Sequence, residues 1–142
     1  MAQPSDLSVP QPALRILSIR VGKGEMTCRV QVAGTPFTSP DVIRRVLREC
    51  PHLLSHSCVN NEGETFGAVA DHTDLPHLME HVAIDLQTRR CPDPSRILCG
   101  VTRWEDRERG IACIRLNYFD DLVALEALKE AACIVSAAVA LE

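Results

Sequence analysis

The chain has 142 residues, 46% of them hydrophobic, 24% charged and 4% aromatic, with a net charge of −4. That length suits one domain with a real core, and that composition is ordinary for a soluble globular protein. The negative balance and the scarcity of aromatic rings exclude a nucleic-acid partner held by a basic patch and base stacking.

Residues 1–13, with Pro4, Pro10 and Pro12 among Ser and Gln, are expected to form a flexible tail. Residues 14–142 are expected to be a single domain. Leu14 to Val21 and Thr27 to Ala33 alternate apolar and polar residues around Gly22 and Gly24, the pattern of a β-hairpin. Leu17, Ile19 and Val21 would share one face, and Cys28, Val30 and Val32 another. Ser39 and Pro40 supply an N-cap and a first helical residue. The helix they open would bury Val42, Ile43, Val46, Leu47 and Cys50, with Arg44, Arg45 and Arg48 on a solvated face.

Residues 51–71 have no strong period, and a loop this long in a compact domain is often functional. A second helix follows, capped by Thr73 with Pro76 in its first turn, and Pro92 and Pro94 close it. Arg96 to Arg103 and Ile111 to Phe119 form a second hairpin around WEDRERG. Asp120 or Asp121 opens a last helix, apolar nearly all round from Ala131 to Leu141, which suggests deep burial or a homo-oligomer contact. The order ββα-loop-α-ββα gives an α+β fold of antiparallel β-hairpins packed with three main helices.

Seven cysteines, odd in number and without a C-x-x-C, argue against a disulfide framework. They read as mostly buried thiols of a cytoplasmic protein. No apolar run approaches the length of a membrane span, and the N-terminus lacks a basic start followed by an apolar stretch. No membrane partner is expected.

The chemistry concentrates in His77-Leu78-Met79-Glu80-His81, an H-x-x-E-H sequence. Residues i and i+4 of a helix share a face, so His77 and His81 can point at one ion. Glu80 can reach a metal-bound water without being a ligand, as in the inverted zinc-hydrolase motif. Leu75, Leu78, Met79, Val82 and Leu86 form an apolar stripe roughly opposite the two histidines, which places these off the core-packing side.

The segments TSPDVIRRVLRECPHLLSHSCVNNEGETF and DLPHLMEHVAIDLQTR resemble the N-terminal domain of cyanophycin synthetases. The match runs through Pro51, Leu53, His56 and Cys58, loosely through Glu64-Thr65-Phe66, then through His77 to Gln87, Gly100 to Arg103 and Asn117-Tyr118. The resemblance implies a module that acts on a polymer of aspartate backbone and arginine side chains, in some members as a metal-dependent hydrolase. Nothing in the chain resembles an ATP-binding loop, so the module is expected without the family's ligase domains. Val101 replaces an Arg of the family pattern and Asn117 a Glu, and the Gly-Gly-Phe element is degraded.

A catalytic zinc site needs three protein ligands and an open position. Beside His77 and His81, His56 is the first choice for the third, with Asp121 and Glu126 as carboxylate alternatives. Asp85, one turn beyond His81, is placed to orient that histidine from behind. Zinc is the expected ion, although the sequence does not separate it from manganese or iron. Two functions remain open. One is a zinc-dependent hydrolase of peptide or amide bonds in cyanophycin-like or arginine-rich peptides, with Glu80 as the base. The other is a non-catalytic polymer- or protein-binding module.

Overall fold

A computed structural model describes residues 11–141. Of the expected N-terminal tail, residues 1–10 lie outside the described residues. The first hairpin pairs β1 (Leu14–Val21) with β2 (Glu25–Val32), and Gly24 at φ +75° supplies the left-handed residue its turn requires. Along β2, Met26, Cys28, Val30 and Val32 are all buried, so the expected alternation holds and extends one residue pair earlier. In β1 it does not. A register shift between Ile16 and Ser18 reverses the inward side, so Ile16 and Ile19 pack against the core while Leu17 and Val21 are exposed.

Ser39 caps α1 (Pro40–Glu49), its Oγ accepting from the Val42 amide at 3.2 Å. Val42, Ile43 and Val46 are buried, and Arg44 pairs with Asp41 at 2.7 Å on the solvent side. Arg45 instead reaches the carbonyl of Ala138 at 2.8 Å, satisfying an otherwise orphaned group at the end of the last helix.

After α2 (Leu75–Arg90), the second hairpin joins β3 (Gly100–Asp106) to β4 (Ile111–Asn117). β3 starts four residues later than the sequence pattern suggests, because Ile97 is 79% exposed and its segment runs along the rim of a cleft. The four strands form one antiparallel sheet in the order β1-β2-β4-β3, with the two hairpins meeting through β2 and β4. Helix α2 and the last helix pack on this sheet and α1 packs on the last helix, and the α+β class and order of elements agree with the sequence pattern. Ala112, Ile114 and Leu116 of β4 point into the core, whereas the opposite face carries the pairs Arg29–Glu105 and Arg115–Glu25.

The last helix, α3 (Asp121–Ala140), is capped by Asp120, whose carboxylate accepts from the amides of Leu122 and Val123. It buries Ala124, Ala127, Leu128, Ala131, Val135 and Ala138, small residues that permit close approach to α2, while Cys133 and Leu141 stay exposed. Among the described residues no helix is long and apolar enough to cross a membrane.

All seven cysteines are free, but only Cys28 and Cys50 are buried, fewer than the sequence suggests. Burial, reinforced by Cys113 beside Cys28 and by Asp85 beside Cys50, pushes both thiols up to about 12. The thiolate is the reactive species, so neither should react in the native state. Iodoacetamide at mildly alkaline pH, read by peptide mass mapping, is expected to label the exposed Cys99 and Cys133 first and to spare Cys28 and Cys50 until urea is added.

Candidate metal centre

Helix α2 is buried nearly all round. Its apolar stripe faces the core as the period requires, but Glu80, His81, Asp85 and Gln87 on other faces are buried too, at 4%, 3%, 6% and 0% exposure. The second hairpin covers Glu80 and Gln87, and His81 and Asp85 are covered by the segment after α1. That segment folds back over the helix, tied by the Phe66 amide to the His56 carbonyl and the Cys58 amide to the Glu64 carbonyl. Phe66, fully buried, stacks on His81 with ring centres 4.1 Å apart and meets His77 edge-on at 5.1 Å. The histidines are therefore packed against protein, not on an open polar face.

This packing delivers a third donor. Cys58 Sγ lies 3.5 Å from His77 Nε2, and ligand atoms of Cys58, His77 and His81 all fall within 4.8 Å of one another. Two imidazoles and a thiol form a donor set suited to zinc. Among the described residues this is the one such cluster of three. Cys58 is a candidate ligand that the spacing of the histidines does not single out. The available signal is its place two residues after His56, in the stretch that carries the family resemblance.

His56 occupies a different position from the one expected. Its Nδ1 faces His81 Nδ1 at 3.4 Å and its Nε2 faces Asp85 Oδ1 at 3.1 Å. Arg89 holds the other oxygen of Asp85 at 3.0 Å. Asp85 thus braces His56, and His56 backs His81, so the orienting carboxylate acts one residue further out than the sequence suggests. Burial works against the ionised form of Asp85, but the His56 contact and the Arg89 charge prevail and hold its pKa below the ordinary carboxylate value. Asp121 and Glu126 are exposed on α3 and do not line the cleft.

The other histidine is oriented by Thr73, whose hydroxyl lies 2.9 Å from His77 Nδ1. Donation of an Nδ1 proton to Thr73 would leave the Nε2 lone pair facing Cys58. Occupied in this way, Thr73 does not cap α2 as expected. Asp74 takes the N-cap position, yet its carboxylate accepts from Trp104 Nε1 at 3.0 Å and makes no capping bond. Burial lowers the pKa of His77, and burial with His77 and His56 nearby lowers that of His81 to about 3. Both shifts favour the neutral ring, the state a metal ligand needs.

Glu80 completes the site from the next helical position. Its Oε1 accepts from Thr102 Oγ1 at 2.7 Å, and its Oε2 lies 3.6 Å from His81 Nε2. Burial raises its pKa, against the lowering effect of the Thr102 hydrogen bond. Gly100 makes room for this carboxylate's stem. A Cβ there would stand 3.1 Å from Glu80 Cγ, 2.7 Å from Leu116 Cδ2 and 2.9 Å from the Arg115 carbonyl.

The cluster opens into a cleft of about 800 Å³ between α2, β3 and the segments on either side of them. Of the departures from the family pattern, Val101 lies on the cleft wall. Asn117 lies outside it and braces the rim, its amide bonding the Cys99 amide at 2.8 Å and the Ile97 carbonyl at 3.0 Å. The match to a family model described as cyanophycin synthase-like N-terminal domain extends over residues 26–140, which include every residue of the site. No curated protein matches the chain.

Proposed function

The chain belongs to the cyanophycin synthase-like N-terminal domain family, and on that premise we propose that it is a metal-dependent hydrolase of peptide or amide bonds. The observation that carries this reading is the convergence of Cys58, His77 and His81 beside a buried carboxylate at the foot of a cleft. Those three side chains would hold the ion. A bound zinc would polarise the scissile carbonyl and acidify the attacking water.

The chain's own groups account for the proton. Thr102 fixes one oxygen of Glu80 and leaves the other on the His81 side. That oxygen takes a proton from the water as its oxygen bonds to the carbonyl carbon, and returns the proton to the nitrogen as the C–N bond breaks. A carboxylate whose pKa is raised by burial is the better base for this exchange. Phe66 and the loop above α2 shield His81 from bulk water, and Thr73 and His56 keep the two rings aimed.

Cleavage of a mixture of blocked peptides, followed by mass spectrometry, tests the proposal. Treatment with a chelator is expected to abolish cleavage, and added zinc to restore it. Cleavage that survives chelation, or a zinc-loaded protein that cuts nothing, would contradict it. The exposed apolar side chains of Val59 and Ile97 at the cleft mouth favour the second reading, a non-catalytic polymer- or protein-binding module, for which that last outcome is the expected one.

A further inference from the structure

Strand β3 is an edge of the sheet and also a wall of the cleft. It pairs with β4 on one side, and among the described residues no strand lies on the other. The Asn117 amide donates to the Cys99 carbonyl at 3.2 Å, which makes residues 99 and 117 a hydrogen-bonded pair. Along the antiparallel register from there, hydrogen-bonded pairs alternate with non-bonded ones. Val101 and Arg103 spend their backbone groups on β4, and the N–H and C=O groups of Gly100, Thr102 and Trp104 point to the open edge. These three residues line the cleft, and Thr102 holds Glu80. A row of unpaired backbone donors and acceptors next to a candidate catalytic carboxylate is a template for an extended chain.

The side chains around that edge narrow the choice of ligand. Val59, Ile97 and Val101 are exposed on the cleft wall at 106%, 79% and 49%. Of the charged groups on that wall, Asp74 accepts from Trp104 Nε1, Arg96 donates to the Tyr118 carbonyl and Glu80 accepts from Thr102. Apolar side chains of a ligand would cover the rim that Val59, Ile97 and Val101 expose.

We infer that the cleft takes an extended peptide with uncharged, apolar side chains, docked as an added strand on the open edge of β3. This rests on the hydrolase reading for the placement of the reacting bond, but the docking itself does not require that a bond be cut. Trp104, the single tryptophan, lines the cleft and reports on occupancy. The full chain is titrated with a blocked six-residue peptide of Ala, Val, Leu and Ser, with two versions N-methylated on alternate amides, and with a blocked Asp–Arg peptide of equal length. Trp104 emission and hydrogen exchange of the 100–104 amides are followed, and cleavage of the same peptides is scored separately by mass spectrometry.

The apolar peptide is expected to shift Trp104 emission and slow exchange along β3. Methylation of one alternate set should weaken binding at least about tenfold, and of the other set little, since only one edge of the added strand faces β3. The Asp–Arg peptide should bind at least about tenfold more weakly. Equal effects of the two methylation patterns, an Asp–Arg peptide that binds as well, or no binding by any peptide would overturn the inference. Peptides that bind with the strand signature but stay whole would leave the docking standing and sink the hydrolase. Cleavage without that signature would do the reverse.

Discussion

Replacing Glu80 with Gln is expected to leave the metal content of the protein unchanged and to lower peptide cleavage by about 10²–10⁴-fold, the usual contribution of a positioned proton-transfer group. The substitution is nearly isosteric, and the amide oxygen can still accept from Thr102 Oγ1, so the buried position at 4% exposure stays filled. What it removes is the group able to take a proton from water and return it to the leaving nitrogen. Glu80 is not among the three clustered donors, so metal binding should survive. Comparing kcat for the zinc-loaded wild type and Glu80→Gln, with zinc measured in both, checks the assignment. Undiminished turnover, or zinc lost along with activity, would remove Glu80 from the role of base.

The largest effect on stability is expected at Phe66. This ring is fully buried, stacks on His81 and closes edge-on against His77. Phe66→Ala should destabilise the metal-free chain by about 3–5 kcal/mol, from lost burial and the cavity left between the loop and α2. The same change should weaken zinc binding, because the ring holds the Cys58 loop against the helix that carries the histidines. Urea denaturation of the metal-free variant separates packing from metal. A loss below about 1 kcal/mol would mean that the loop is held by something other than this ring.

Much of the fold was legible from local patterning. The Ser39 cap and the hairpin glycines act through neighbouring residues, and the alternation in β2 reflects a strand with one buried face. The β1 pattern misled because a shift between Ile16 and Ser18 has no signature in composition. In α2 the spacing of His77, Glu80 and His81 correctly placed all three near one another, but the period suggested a helix with one wet face. Burial of that face depends on Phe66 and the folded-back loop, a contact between segments that the period of α2 cannot encode. The same long-range contact sets His56 and Cys58 apart. The two side chains are two residues apart, and only the loop's path sends His56 behind His81, to Asp85, and Cys58 to His77.

On the proposed reading, Cys58, His77 and His81 form a metal site with His56 behind it. Its most direct test is zinc content by plasma mass spectrometry on untagged protein, for the wild type, Cys58→Ser and His56→Ala. Near-stoichiometric zinc is predicted in the wild type, with none retained after dialysis in Cys58→Ser. In His56→Ala zinc should bind about 10–100-fold more weakly yet still reach the site, as expected for a residue that orients a ligand. Full zinc in Cys58→Ser together with its complete loss in His56→Ala would exchange the roles of the two residues. A wild type that neither holds nor takes up zinc would contradict the metal site itself.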